Sequence, residues 1–179
     1  MLTDIASFLA FFDSVHRRTV RDVAALPPAA AAWQPPRGEG EAAWGFGQLV
    51  SHIGGARLYF ASAYRDEGWI FPDPELDVTD QAAWLPYLER TAVAFRSALT
   101  GTPDDWLRRR IALIDTHGSI SAWRLLTMMT EHEVHHRSQI DTYAGLEGWP
   151  VPQIFDRTFE AVRAQRDRQR ALHQQPGGN

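Results

Sequence analysis

The chain has 179 residues, carries a formal net charge of −4 and contains no cysteine. This length suits a single domain, and a hydrophobic content of 44% can build a core, which argues against disorder along the whole chain. The negative charge argues against a dedicated nucleic-acid binder, because such domains are usually basic. The lack of cysteine excludes disulfides, thiolate metal sites and a cysteine nucleophile.

Two amphipathic helices are predicted in the first third of the chain. The first covers residues 3–25, where apolar side chains recur at spacings of three and four, and Thr3 is a suitable N-cap. The second covers residues 44–64, where several glycines lower the helix propensity, so we expect tertiary packing to stabilise it. Prolines, alanines and glycines over 27–42 predict a connection longer than an up-and-down bundle needs. We therefore expect a long crossover between these two helices.

Two further helices are predicted in the second half of the chain. The third covers residues 79–99 and begins at a good capping pair, Thr-Asp. An ambiguous stretch follows, in which residues 109–114 are compatible with an extended segment. The fourth helix is predicted to run from a cap at Ser119 or Ser121 to Tyr143, where glycines and prolines end it.

A polar segment follows the fourth helix. It predicts a last helix over residues 156–172 and a disordered tail rich in Gln, Pro and Gly. The expected organisation is a four-helix bundle over 1–152, a C-terminal helical extension over 153–173 and a tail over 174–179. Four long amphipathic helices with little strand propensity indicate the all-α class.

Nothing in the sequence predicts export or membrane insertion. The N-terminus lacks a basic region, and no apolar run approaches the ~18 residues of a membrane span. We therefore expect a soluble cytoplasmic protein without a membrane partner.

Two histidines of the fourth helix are predicted to face the core. His132 and His136 are four residues apart, so they project about 40° apart around the helix axis with about 6 Å of rise between them. Imidazoles at this spacing can converge on one metal ion. They share their face with apolar residues such as Met129, whereas His135 points to the other side. Because buried imidazoles need partners, either buried polar groups or a metal ion must satisfy the pair.

A third histidine lies in the middle of the second helix. His52 is flanked by apolar residues and shares a face with Gln48, Leu49 and Tyr59. By itself it is typical of a core histidine with a hydrogen-bond partner. Together with the inward-facing pair it is the ligand that a metal site between bundle helices requires. Three neutral imidazoles would leave an open position on the metal, which is the pattern of catalytic zinc.

Several short motifs resemble the DinB/YfiT-like superfamily. Residues 132–140 read His-Glu-Val-His-His-Arg-Ser-Gln-Ile, where that family typically reads His-x-x-x-His-Arg-Gly-Gln, so Ser138 is a departure. The stretches 44–53 and 33–36 resemble the family pattern around the second helix, and Gly-Trp-Pro at 148–150 resembles its usual ending.

The resemblance covers roughly residues 1–152 and implies a fold, a metal site and an activity. It implies an unusual four-helix bundle with one divalent metal ion, zinc or nickel, on His52, His132 and His136, and usually a homodimer. It also implies relatedness to thiol S-transferases that use bacillithiol or mycothiol, and to a mycothiol-dependent isomerase. We therefore expect a metal-dependent thiol S-transferase that acts on small electrophiles, as in detoxification during a stress response.

Four residues share helix faces with the predicted ligands. Trp44, Gln48, Tyr59 and Met129 are expected to line the substrate pocket. No catalytic residue beyond the metal ligands is predicted.

Two other functions are compatible with the sequence. Residues 132–136 fit the His-Glu-x-x-His signature of zinc proteases, with Glu133 as general base. That function needs a downstream ligand, and only Glu160, in a very polar segment, is a candidate. A non-enzymatic bundle that binds a metal or a small molecule is the second alternative, because a fold does not determine a function.

Overall fold

The computed structural model describes residues 3–72, 76–114, 116–153 and 157–174. Within them the chain forms five α-helices, which are α1 (Ile5–Ala24), α2 (Phe46–Tyr64), α3 (Gln81–Leu99), α4 (Ala122–Leu146) and α5 (Phe159–Gln174). A short antiparallel hairpin precedes α4 and consists of β1 (Arg110–Ala112) and β2 (Ser119–Ser121). The all-α bundle and the extra C-terminal helix predicted from the sequence are confirmed.

The helix starts follow the capping chemistry, with two corrections. Asp4, not Thr3, caps α1, and its Oδ1 accepts a hydrogen bond from the backbone nitrogen of Ser7 at 2.7 Å. Ser119 lies in strand β2, and Ser121 occupies the N-cap position of α4 without a capping side-chain bond. Pairing with β1 therefore holds the start of α4 in place of a side-chain cap.

The end of α4 lies three residues beyond the predicted one. The helix continues to Leu146, and Gly148 then adopts a left-handed conformation with φ of 70°. Glycine adopts this conformation without steric cost, so it ends the helix here.

The helix order in space differs from the order in the chain. The main contacts pair α1 with α3 and α4, and likewise α2 with α3 and α4. The first two helices thus lie across the bundle from each other, as the long connection between them predicts. Two glycines of α2 allow α3 and the loop before it to come close, because a Cβ at Gly47 would lie 1.9 Å from the Val78 carbonyl oxygen and one at Gly54 would lie 2.2 Å from the Tyr87 ring.

A layer of buried polar side chains divides the core into two apolar clusters. On α4 the residues before His132 belong to one cluster and those after Arg137 to the other. The other three bundle helices change cluster at the same level, where Thr19, Arg57 and Thr91 are buried. The three predicted metal ligands lie at this level.

The C-terminal helix α5 is solvent-exposed over residues 159–171. Its predicted start at 156 and most of the predicted tail, 175–179, lie outside the described residues. No helix among the described residues combines the length and hydropathy that a membrane span requires.

Candidate metal centre

Three imidazoles meet where α2 packs against α4. His52 comes from the middle of α2, and His132 and His136 come from successive turns of α4. Nε2 of His132 lies 2.9 Å from Nε2 of His52 and 3.1 Å from Nε2 of His136. The ligand atoms of all three lie within 4.8 Å of one another. The tertiary structure therefore brings the three predicted ligands together.

Burial keeps these imidazoles neutral. Burial, together with the smaller effects of the neighbouring His136 and His52, lowers the pKa of His132 to about 3. Burial also lowers the pKa of His52 and of His136, although Glu41 acts in the opposite direction on both. Neutral imidazoles have the free lone pairs that a metal ion needs.

A hydrogen bond orients one of the rings. Nδ1 of His136 lies 2.6 Å from Oε1 of Gln139, so it carries the proton and donates it to this amide oxygen. Nε2 of the same ring is then unprotonated and faces the other two histidines. Partners of this kind commonly orient metal-binding histidines in proteins.

Hydrogen bonding between the rings cannot satisfy the cluster. A single proton can bridge one pair of nitrogens, but Nε2 of His132 has two nitrogen neighbours and only one site for bonding in the ring plane. Two nitrogens on one metal ion lie about 3.0–3.4 Å apart when the metal–nitrogen distance is about 2.0–2.1 Å. The two distances from Nε2 of His132, 2.9 Å and 3.1 Å, are close to this, so the cluster fits a divalent cation.

The connection before α2 covers the open side of the cluster. The Trp44 ring lies 4.7 Å from the His52 ring and 6.2 Å from the His136 ring. Oε1 of Glu41 lies 3.1 Å from Nε2 of His136. Glu41 also groups with His136 and the exposed His135, but this second group shares a ligand with the first and is not a separate site.

Glu133 faces away from the three histidines. Its carboxylate accepts hydrogen bonds from Arg57, at 2.7 Å and 2.9 Å, and from Thr19 at 2.8 Å. Successive residues of a helix point about 100° apart, so the neighbour of His132 is directed into the bundle. It is therefore not placed as the general base of a zinc protease.

Two cavities adjoin His52. The larger, of about 350 Å³, is lined by His52 and His132 together with aromatic and small residues of α2 and α3 and the chain after α2, namely Ser51, Gly55, Ala56, Tyr59, Phe60, Phe71, Pro72 and Tyr87. The smaller, of about 250 Å³, is more open and is lined by Trp44, Gln48, Ser51, His52 and Val78.

Three of the four predicted pocket residues line one or other of these cavities. Tyr59 lines the larger cavity, and Trp44 and Gln48 line the smaller one. Met129 lines neither, because its side chain is 1% exposed and belongs to the apolar core. The expectation that Met129 lines the pocket is wrong, because this part of α4 packs in the apolar core.

Sequence reasoning missed Glu41 and most of the cavity wall. Glu41 lies in an irregular connection, where no periodicity indicates the direction of a side chain. Phe71 follows the end of α2 and packs back onto Tyr59. Gly55 was the one sequence signal for the cavity, because it is a glycine inside a helix and lies close to the predicted ligand His52.

The protein is therefore a helical bundle with a candidate metal centre of three histidines between α2 and α4. The sequence matches the model of the DinB superfamily over residues 11–140, and the chain belongs to this superfamily. A comparison with curated proteins found no match.

Solved structures share the fold at low sequence identity. A DinB-like protein from Bacillus cereus ATCC 10987 has a TM-score of 0.69 at 17% identity, and the similarity covers 86% of this chain and 99% of that one. The DinB-like protein YjoA from Bacillus subtilis has a TM-score of 0.64 at 18% identity, with 83% and 97% covered. YfiT from Bacillus subtilis, described as a probable metal-dependent hydrolase with an unusual four-helix bundle topology, has a TM-score of 0.62 at 18% identity, with 81% and 88% covered.

Proposed function

We propose that this protein transfers a low-molecular-weight cytoplasmic thiol, of the bacillithiol or mycothiol type, to small electrophiles. The reaction would take place at a zinc or nickel ion held by His52, His132 and His136. The observation that carries the proposal is the position of this donor set, since two of the three imidazoles line a cavity of about 350 Å³ with largely apolar walls. The choice of thiol rests on the family resemblance of the sequence.

The donor set suits the activation of a thiol. A divalent ion held by three neutral imidazoles would keep its full charge and would favour the ionised form of a thiol at neutral pH, where a free thiol is mostly protonated. The chain contains no cysteine, so the nucleophilic sulfur would come from a cosubstrate.

The chain's own residues would position the two reactants. Trp44 covers the His52 ring on the side of the smaller cavity, where a thiol cosubstrate has room to approach. Tyr59, Phe60 and Tyr87 line the larger cavity and would hold an electrophile there away from water, within reach of the sulfur. A carbon–sulfur bond forms, the bond to the leaving group breaks, and the thiol proton passes to solvent.

Hydrolysis at the same centre is the second candidate. YfiT is described as a probable metal-dependent hydrolase, and the Glu41 carboxylate lies 3.1 Å from Nε2 of His136, where it can hydrogen-bond a water molecule. A non-enzymatic role, in which the bundle only binds a metal or a small molecule, is the third. The zinc-protease function is not retained, because Arg57 holds Glu133 away from the histidines.

The test is turnover of monochlorobimane and of 1-chloro-2,4-dinitrobenzene by untagged protein loaded with zinc or nickel. Each electrophile is assayed with bacillithiol, mycothiol and glutathione. We expect faster formation of the thioether than with the thiol alone, abolished in His52→Ala and retained in His135→Ala. Mass spectrometry separates the thioether from a hydroxylated product, which would indicate hydrolysis. Background rates with every thiol and both metals would refute the proposal and favour the binding role.

A further inference from the structure

The larger cavity beside His52 has aromatic walls. The rings of Tyr59 and Phe71 stack with centroids 4.4 Å apart, and Phe60 and Tyr87 are buried. None of the described residues that line it is Lys, Arg, Asp or Glu. A charged ligand would therefore lose hydration against these walls without gaining a counter-charge. Such walls favour a neutral molecule with an apolar, ring-shaped body.

The floor of the cavity is a strip of small residues on α2. Ser51 lies one helical turn before the adjacent residues Gly55 and Ala56, and all three line the cavity. A Cβ added at Gly55 would meet only Pro72 Cγ at 3.5 Å and Tyr87 Oη at 3.8 Å, which are ordinary van der Waals distances. Both neighbours also line the cavity, so a methyl group at this position would narrow it and a longer side chain would extend well into it.

Neither backbone geometry nor close packing explains Gly55. The glycines at 47 and 54 have steric reasons, because a Cβ there would overlap Val78 or Tyr87. Gly55 has no such overlap and does not adopt a positive φ. Glycine is nevertheless one of the least favourable residues in a helix interior. The open space beside Gly55 in the cavity is the feature of the site that accounts for this glycine.

We infer that this cavity binds neutral, apolar molecules of one to three rings, and that Gly55 sets the upper limit on their size. The volume of about 350 Å³ lies near the lower end of small-molecule sites. His52 and His132 at one end would place such a ligand beside the metal centre. The assignment of the ligand as the electrophile rests on the proposed function, whereas its binding requires no thiol.

The test measures binding of the neutral fluorescent probe N-phenyl-1-naphthylamine to the full-length, zinc-loaded protein. We expect saturable binding that chlorobenzene displaces. Gly55→Leu should weaken binding by about tenfold or more, as losses of pocket space of this kind commonly do. The matched control is Gly145→Leu near the end of α4, where a Cβ meets nothing within 4 Å, and it should bind the probe normally.

Equal probe affinity in wild type and Gly55→Leu, with unchanged circular dichroism and zinc content, would overturn the inference. If the leucine variant does not fold, Gly55→Ala still tests the inference, because its methyl group makes only ordinary contacts and should not disturb folding. We expect this variant to bind the three-ring probe several-fold more weakly and chlorobenzene normally, and equal loss of both would refute the size limit. Tighter binding of the anionic 1-anilinonaphthalene-8-sulfonate than of the neutral probe would refute the ligand class. Probe binding at this site without thiol transfer would support the inference while contradicting the proposed function.

Discussion

Arg57 and Glu133 form a two-point ion pair inside the bundle, with Nη2 donating to Oε1 at 2.7 Å and Nε donating to Oε2 at 2.9 Å. Their side chains are 0% and 2% exposed. The pair joins α2 to α4, and Thr19 of α1 donates to the same carboxylate. Because Glu133 directly follows His132, this contact sets the position of α4, and with it two of the three imidazoles, relative to α2.

Removing this carboxylate should strongly destabilise the fold. We expect Glu133→Ala to lower the free energy of unfolding by about 3–5 kcal/mol, because it leaves a buried guanidinium without its counter-charge. Urea denaturation measures the change. Glu131→Ala is the control, since its carboxylate is exposed and pairs with Arg124 at the surface, and it should cost less than about 1 kcal/mol. Equal effects of the two substitutions would contradict a structural role for the ion pair.

The three histidines should bind about one divalent ion per chain, as sites of this kind do. We expect His52→Ala, His132→Ala and His136→Ala each to reduce zinc or nickel content sharply, because two imidazoles hold a metal ion much more weakly than three. Elemental analysis of protein purified without a histidine tag measures the content. His135→Ala should leave the site filled, since this side chain is exposed. A site emptied by His135→Ala but not by His132→Ala would show that the ligand assignment is wrong.

Glu41 should contribute to metal binding although it comes from the connection before α2. Its carboxylate lies 3.1 Å from Nε2 of His136, so it can bind the ion directly or through water. We expect Glu41→Gln to weaken zinc affinity by about tenfold, in the range seen when groups around a metal site are removed. Competition with a chelator gives the affinity. Glu39→Gln removes a nearby exposed carboxylate from the same connection, and an equal loss there would indicate a general charge effect instead.

Asp141 should make stability depend on pH. The pKa of this carboxyl is raised to about 6, mainly by burial and to a smaller degree by Asp22, whereas Arg137 opposes the shift. The unfolded carboxyl titrates near ~3.9, so the folded state binds more protons between these values and loses stability as the pH rises through 6.

Asp141→Asn removes this dependence. At pH 8 we expect a Tm about 2–4 °C above that of the wild type, which corresponds to about 1 kcal/mol in a domain of this size; the value is kept small because the side chain is partly exposed and solvent screens it. The difference should vanish as the pH falls to about 3, where the wild-type carboxyl is protonated in both states. Calorimetry across this range measures it, and a constant difference would show that the titration of Asp141 is not its cause.

Homodimerisation, which the family resemblance implies, predicts a mass of about twice the 20.2 kDa of one chain. Phe11 on α1 and Leu146 at the end of α4 are 51% and 76% exposed, so the surface offers apolar area for an isologous interface. Light scattering coupled to gel filtration at about 50 µM gives the mass, because association depends on concentration. A monomer throughout would refute the expectation.

Local sequence patterns were sufficient to locate the helices and to select the three histidines that the structure brings together. Apolar periodicity predicted α1 to α4 to within a few residues, because burial of one helix face requires that spacing. The i, i+4 spacing of His132 and His136 and the apolar surroundings of His52 likewise depend only on helix geometry. At the start of α4 the predicted position Ser121 was right, but pairing of β1 with β2 holds it there in place of the expected side-chain cap.

By itself, then, the sequence determined four amphipathic helices and three inward-facing imidazoles, since each follows from the geometry of one helix. Only the tertiary structure decided that Glu133 of α4 contacts Arg57 and that Met129 packs in the core. The contacts of a side chain are determined only once the neighbouring helices are in place. Glu41 at His136 and the open space above Gly55 depend on contacts between segments distant in the chain. No local pattern encodes such contacts, so the shape of the site came from packing, whereas its candidate ligands came from the sequence.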